Sequence, residues 1–435
     1  MLGTYTLSDH HQFMLKALNW LQQFEVCCIL NSNGYYQKQS DPAKHQYYHS
    51  YDLIIAAEAR QELTLKPPVF SRLQKFIKHH NSWLFGYLGF DLKNETEHLE
   101  SHNEDHLHFP NAYFFEPEFL FLLKGKSIEI IADKRQPKFL LEEVMACTPI
   151  QRPETTKISQ SIFQNRISKD KYLETVEHIR QHIIEGDVYE MNFCQEFYME
   201  NMQADPFQLY LNLCEISPNP FSAFCRIHDK FILSASMERF LKKEGSRLIS
   251  QPIKGTIRRG TTDEEDRQLA LQLLNDEKEK AENVMIVDLV RNDLSKSCRV
   301  GSVKVEDLFG IYPFPNVHQM ISTIVGELRE EVHPVAALCN AFPMGSMTGA
   351  PKLMAMKLIE KYENTRRGVF SGAIGYFSPS QDFDFNVVIR TLLYDAATQY
   401  LSLTVGSAIT YDSVPEKEYE ECLLKIEAIR QILEK

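Results

Sequence analysis

Hydrophobic residues fall along this chain in two rhythms. In the N-terminal part, apolar runs at 25–30, 83–91 and 112–123, the last two rich in aromatics, are separated by polar loops and read as β-strands. Further along, the spacing lengthens to that of helices. Ser168 is placed to cap a helix whose apolar positions Tyr172, Val176, Ile179 and Ile183 share one face, with Gly186 as its stop. The patterns at 263–275, 277–293 and 416–433 are also helical, whereas 231–235, 248–253, 370–377, 386–393 and 400–405 read as strands. This mixture points to an α+β enzyme rather than a repeat protein. The stretch 148–164 is rich in Thr, Pro, Gln and Ser and has neither period. It is read as a linker between an N-terminal region, 1–147, and a longer C-terminal region, 165–435.

Composition narrows the picture. With 43% hydrophobic and 24% charged residues, the 435-residue chain has the balance of an ordinary globular protein. A net charge of −12 opposes binding to nucleic acid or an anionic membrane surface. The chain shows no basic segment followed by an apolar run at its start, and no stretch long enough to span a bilayer, so a cytoplasmic location is expected. Nine cysteines without a C-x-x-C pair suit reduced thiols.

Candidate chemistry lies in the C-terminal region. Glu279 and Glu282 share a helix face, as do Glu418 and Glu421, with Lys425 one turn beyond. Four carboxylates brought together would repel one another unless a cation intervened, and their hard oxygens suit Mg²⁺. Lys254 stands between a short apolar strand and a glycine turn. The run FPMGSMTGAPK (342–352) is a small-residue loop that opens a helix, but it lacks the spacing of a Walker A loop. Taken singly, these features describe ordinary solvated faces, a surface lysine and a core histidine, His318. Their order along the chain is what carries meaning.

That order closely resembles the chorismate-utilising family, which includes anthranilate, aminodeoxychorismate, isochorismate and salicylate synthases. The resemblance runs over 187–435 through SASMERF (234–240), QPIKGTIRRG (251–260), AENVMIVDLVRNDL (281–294) and FPNVHQMISTI (314–324). It continues through FPMGSMTGAPK, SGAIGYFS (371–378), VVIRTL (387–392) and EKEYEECLLK (416–425). The region 1–147 is similar to anthranilate synthase component I through WLFGYLGFDL (83–92). The fold implied is two packed antiparallel-rich β-sheets surrounded by helices, with the active site in a cleft between them.

By this resemblance, Glu282 and Glu421 are direct Mg²⁺ ligands, with Glu279 and Glu418 near the ion. Tyr376 and Arg390 hold the pyruvyl carboxylate of chorismate, while Thr348, the backbone at Gly406, and Lys425 make further substrate contacts. His318 lies beside the ring, and Glu238 is the general acid that protonates the departing 4-hydroxyl. Members with Lys in the PIKGT block aminate chorismate at C4, making 4-amino-4-deoxychorismate for 4-aminobenzoate and folate synthesis. Lys254 would be their nucleophile. An unperturbed lysine titrates at about 10.4, and holding it neutral near pH 7.5 costs roughly 4 kcal/mol, so burial or cationic neighbours are expected to lower its pKa.

The water-adding members carry a Lys where this chain has Glu190, and amine-adding members usually have Gln there. The alternatives implied are amination at C2 with loss of pyruvate, as in anthranilate synthase, then isochorismate synthesis, or a non-catalytic glutaminase-docking subunit. No glutaminase module is evident in the chain, so ammonia is expected from a separate glutaminase subunit. The segments 29–32 and 217–221 leave tryptophan binding open.

Overall fold

The computed structural model describes residues 1–36, 48–151 and 163–433; most of the expected linker at 148–164 lies outside them. Among the described residues, twenty strands form one hydrogen-bonded network. Its ladders are all antiparallel.

The network folds back on itself into two layers. The first runs from Ser127–Ala132 through Ala112–Lys124, Leu53–Thr64, Val26–Asn31, Phe221–Ile227 and Lys230–Ser236. It continues through Thr391–Asp395 and Tyr400–Ile409 to Glu190–Met199. The second runs from Leu84–Leu88 through Ala373–Phe377, Phe383–Asn386, Arg239–Glu244 and Arg247–Gln251 to Val317–Glu327. That last strand also pairs with Ile253–Arg258 and Lys304–Pro313. Ala112–Lys124 belongs to both layers, because its start pairs with Leu84–Leu88 and its end with Ser127–Ala132. The two expected sheets are therefore continuous through a shared strand.

Alternation along the strands explains the packing. Val26, Cys28, Ile54, Ala56, Phe85, Tyr87, Ala223, Cys225, Ile374 and Tyr376 point into a core between the layers. The opposite faces bury against helices: His10–Leu21, Lys169–Ile184, Pro206–Ile216 and Pro415–Leu433 cover the first layer. Val69–His79, Glu277–Ser295 and Pro334–Ala341 cover the second. N-terminal strands thus pair directly with C-terminal ones.

The helix Lys169–Ile184 forms as its pattern dictates. The Ser168 hydroxyl accepts the Lys171 amide at 3.3 Å, and Tyr172, Val176 and Ile179 are buried. Four strand expectations differ from the structure. The run 83–91 ends its strand at Leu88 and turns into a short 3-10 helix at Phe90–Leu92. The run 248–253 is split at Pro252, which has no amide hydrogen to donate, and Lys254 lies on a second strand, Ile253–Arg258, rather than in a glycine turn. The run 370–377 starts its strand only at Ala373, because 368–371 form a turn in which the Phe370 amide donates to Arg367 O and the Gly372 amide to Val369 O, both at 3.0 Å. The run 386–393 is broken at 387–390, where the chain leaves one layer for the other. No helix among the described residues is long and apolar enough to cross a membrane, and all nine cysteines are free thiols.

Candidate active site

The chain crosses between the layers twice at one place. Met237 and Glu238 join Lys230–Ser236 of the first layer to Arg239–Glu244 of the second. Residues 387–390 make the return crossing, with Arg390 in the left-handed region at φ +50°. The Val387 amide donates to Glu238 O at 3.0 Å and ties the crossings together.

Glu238 is buried at this seam, and its carboxylate accepts the Ser346 hydroxyl at 2.5 Å. Burial pushes its pKa up to about 7, against the opposing pull of Ser346 and the Lys254 charge. A carboxyl so placed is a proton donor near neutral pH, as a general acid must be.

Lys254, on Ile253–Arg258, forms an ion pair with Glu190, the first residue of Glu190–Met199, and so bridges the two layers. Burial works to lower the lysine pKa, but the charges of Glu190, Glu282 and Glu238 outweigh it and raise the pKa. This corrects the expectation of a lowered value. The neighbours that decide it are carboxylates, not cations.

Glu190 is held in place by the small-residue loop. Gly349 sits at φ +144°, and a Cβ there would come within 2.1 Å of Glu190 O. The Asn192 amide donates to Thr348 O at 2.8 Å, and the buried Thr348 hydroxyl donates to Met344 O at 3.1 Å. Across the strand pair, Gly406 stands opposite Cys194, and its carbonyl accepts Lys425 Nζ at 2.7 Å. That bond docks the last helix onto the strand carrying Gly406, and Lys425 also pairs with Glu421 on its own helix at 2.6 Å.

The acidic pairs approach one another without forming a tight cage. Burial pushes Glu282 up to about 7, with the charges of Glu190 and Glu279 adding to it. Glu279 is raised by burial, then by Asp276, and it also feels Glu421 on the last helix, where Glu418 is half-buried. Crowded carboxylates with raised pKa values are what a cation relieves, and Mg²⁺ needs only one or two protein oxygens besides water and substrate. The residues fit such an ion. Among the described residues, the one group at close ligand spacing is instead His182, Glu185 and Asp187. There the imidazole is already occupied by Asp187 at 2.7 Å and Tyr362 at 2.9 Å.

Arg390 has no hydrogen-bond or ion-pair partner for its guanidinium among the described residues, and burial alone lowers its pKa. A half-buried cation without an anion is a site for one, and the planar fork suits a carboxylate. His318 belongs to a neighbouring network. Its Nε2 meets Asp266 at 2.9 Å, Asp266 receives Arg259 at 2.8 and 2.7 Å, and Nδ1 is buried without a partner.

Tyr376 requires correction. Strand alternation turns it into the core between the layers, with ring centroids 5.5 Å from Trp83 and 6.0 Å from Phe85. Its charged neighbours are Asp384 and Arg239 rather than Arg390. The segments 29–32 and 217–221 do meet there, in a pocket lined by Leu30, Asn31, Ser32, Pro220, Phe221 and Tyr376. Ser346, which holds Glu238, was hidden in the sequence because a serine in a glycine loop has many ordinary explanations.

The chain is similar to known proteins in sequence and fold. The family described as chorismate binding enzyme matches residues 13–431. Aminodeoxychorismate synthase component 1 of Bacillus subtilis (strain 168) is 33% identical over 365 residues, covering 80% of this chain and 76% of that protein. Anthranilate synthase component 1 of Thermus thermophilus is 33% identical over 357 residues, covering 80% and 77%. The crystal structure of anthranilate synthase component I from Streptococcus pneumoniae TIGR4 superposes with a TM-score of 0.77 at 29% identity, covering 86% of this chain and 91% of that one.

Proposed function

This chain belongs to the chorismate-binding enzyme family, and within it we propose that it aminates chorismate at C4, giving 4-amino-4-deoxychorismate. The observation that carries this reading is Lys254, half-buried at the seam, paired there with Glu190 and close enough to the acid Glu238 to feel its charge. In the proposed reaction, the Lys254 amine bonds to C2, both ring double bonds shift, and the C4–O bond breaks. Glu238 gives its proton to the leaving oxygen, which departs as water. Ammonia then bonds to C4, the electrons shift back, and the C2–N bond breaks to free the lysine.

Arg390 would pair with the pyruvyl carboxylate, and Thr348, Gly406 and Lys425 would line the remaining substrate. Mg²⁺, held by Glu282 and Glu421 with Glu279 and Glu418 nearby, would neutralise the ring carboxylate. His318 would stand beside the ring. Ammonia would come from a separate glutaminase subunit, in keeping with relatives named as a component 1. Tryptophan is the ligand proposed for the pocket lined by Asn31, Ser32 and Pro220.

Amination at C2 draws on an equal likeness to anthranilate synthase component 1, but it leaves Lys254 without a task. The test is Lys254→Ala. Amination at C4 is expected to fall by about 100-fold or more, and wild-type protein quenched during turnover should carry substrate mass on the peptide holding Lys254. Undiminished amination by the variant would sink the reading.

A further inference from the structure

Glu190 has no part in the scheme so far, yet it is the side chain most intimately joined to Lys254. It is fully buried, at 0% exposure, and lies across the seam from the lysine. One carboxylate oxygen, Oε1, accepts from Lys254 Nζ; the other, Oε2, is buried with no hydrogen-bond partner. A carboxylate with an unused buried oxygen is costly to maintain. A structural brace for the lysine needs only one acceptor, and an amide would supply it without the buried charge.

The chemistry has a matching gap. An ammonium nitrogen has no lone pair, so Lys254 must lose a proton before it can attack, and its surroundings favour the charged form. Glu238 carries the proton destined for the leaving oxygen and is engaged with Ser346. Glu282 acts on Lys254 through space and makes its own ion pair with Lys278 at 3.8 Å. Glu190 is the acceptor in direct contact.

We propose that Glu190 is a catalytic base that takes the proton from Lys254, holds it while the lysine is bonded to substrate, and returns it on release. This inference rests on the C4-amination reading. In the first step the ammonium and carboxylate become amine and carboxylic acid. The proton can reside on Oε2 while Oε1 keeps its hydrogen bond to the nitrogen. The amine pair then forms the bond to C2, and Glu238 loses its proton to the departing oxygen. In the second step ammonia bonds to C4 as an ammonium group, and the C2–N pair returns to Lys254 as a neutral amine. Glu190 gives its proton back to the lysine, and the new C4 ammonium gives one to Glu238. Both carboxyls and the lysine end as they began, and the net change is chorismate plus ammonia to aminated product plus water.

The experiment compares full-length wild type, Glu190→Gln and Glu190→Ala with chorismate, Mg²⁺ and ammonium chloride. It records product by mass spectrometry and the substrate adduct on Lys254 by rapid quench. Gln keeps the shape and one acceptor but cannot take a proton. The expected result is an unchanged chorismate KM in Glu190→Gln, with kcat and the adduct rate both lower by about 100-fold or more. Added formate should restore activity to Glu190→Ala by supplying the missing carboxylate. A Glu190→Gln enzyme with wild-type kcat, or a folded Glu190→Ala indifferent to formate, overturns the role of Glu190 and leaves C4 amination standing. Wild type that yields no C4 amine overturns the underlying reading, and the inference with it.

Discussion

Ser346 donates its hydroxyl to the buried carboxyl of Glu238 at 2.5 Å, linking the small-residue loop to the point where the chain crosses between its sheet layers. The hydrogen bond stabilises the charged form of Glu238, whereas burial favours the neutral form more strongly and sets its pKa at about 7. The acid is therefore present below that value and lost as pH rises through it. The rate of C4–O cleavage is expected to fall on the alkaline side of about 7 in wild type. In Ser346→Ala the falling limb should move to higher pH, because an influence that lowers the pKa is gone. A limb that stays put in a folded Ser346→Ala would separate Glu238 from the titration.

Arg390 should show opposite effects on binding and stability. Its guanidinium is half-buried and has no anion partner among the described residues. Replacing it with Met removes a poorly solvated charge and should not lower the melting temperature. Loss of the charged hydrogen bonds to substrate, worth about 1.5–3 kcal/mol, should cut kcat/KM by roughly 10- to 100-fold or more. Arg390→Lys should recover little, since a point charge cannot reproduce the fork. Steady-state kinetics and thermal melts of the same preparations decide this.

Gly349 leaves no room for a side chain. A Cβ would stand 2.1 Å from Glu190 O, and the backbone is at φ +144°. Gly349→Ala is expected to cost about 2 kcal/mol or more by denaturant titration. It should also lower turnover beyond what the lost stability explains, because the displaced residue adjoins Glu190. Wild-type stability and turnover would show that the loop moves freely.

Metal dependence tests the acidic helices. Removal of divalent cations with EDTA should abolish turnover, and added Mg²⁺ should restore it. Glu282→Gln should raise the Mg²⁺ concentration needed for half-maximal activity by about tenfold or more. Full activity in EDTA would remove Mg²⁺ from the reaction.

Much of this architecture was legible in the chain. The cap at Ser168, the apolar stripe after it, and the helix carrying Glu282 are local patterns, and they form as their periodicity requires. What escaped were properties set by the fold as a whole. The break at 387–390 depends on adjacent strands belonging to different layers, which no local period records. Tyr376 lies in a matching motif, but its direction is decided by alternation along Ala373–Phe377 and by the aromatic core facing it. Lys254 was expected to have a lowered pKa, because burial can be read from sequence more easily than the three carboxylates that come from distant segments. Ser346 and Asp266 are inconspicuous residues whose partners, Glu238 and His318, lie far along the chain.

The most direct measurement is product analysis by mass spectrometry. The purified chain is incubated with chorismate, Mg²⁺ and an ammonium salt, with and without an aminodeoxychorismate lyase. Amination at C4 requires an intermediate that the lyase converts to 4-aminobenzoate. Release of 2-aminobenzoate without the lyase would contradict it, and would show that a lysine at this seam does not decide which ring carbon receives nitrogen.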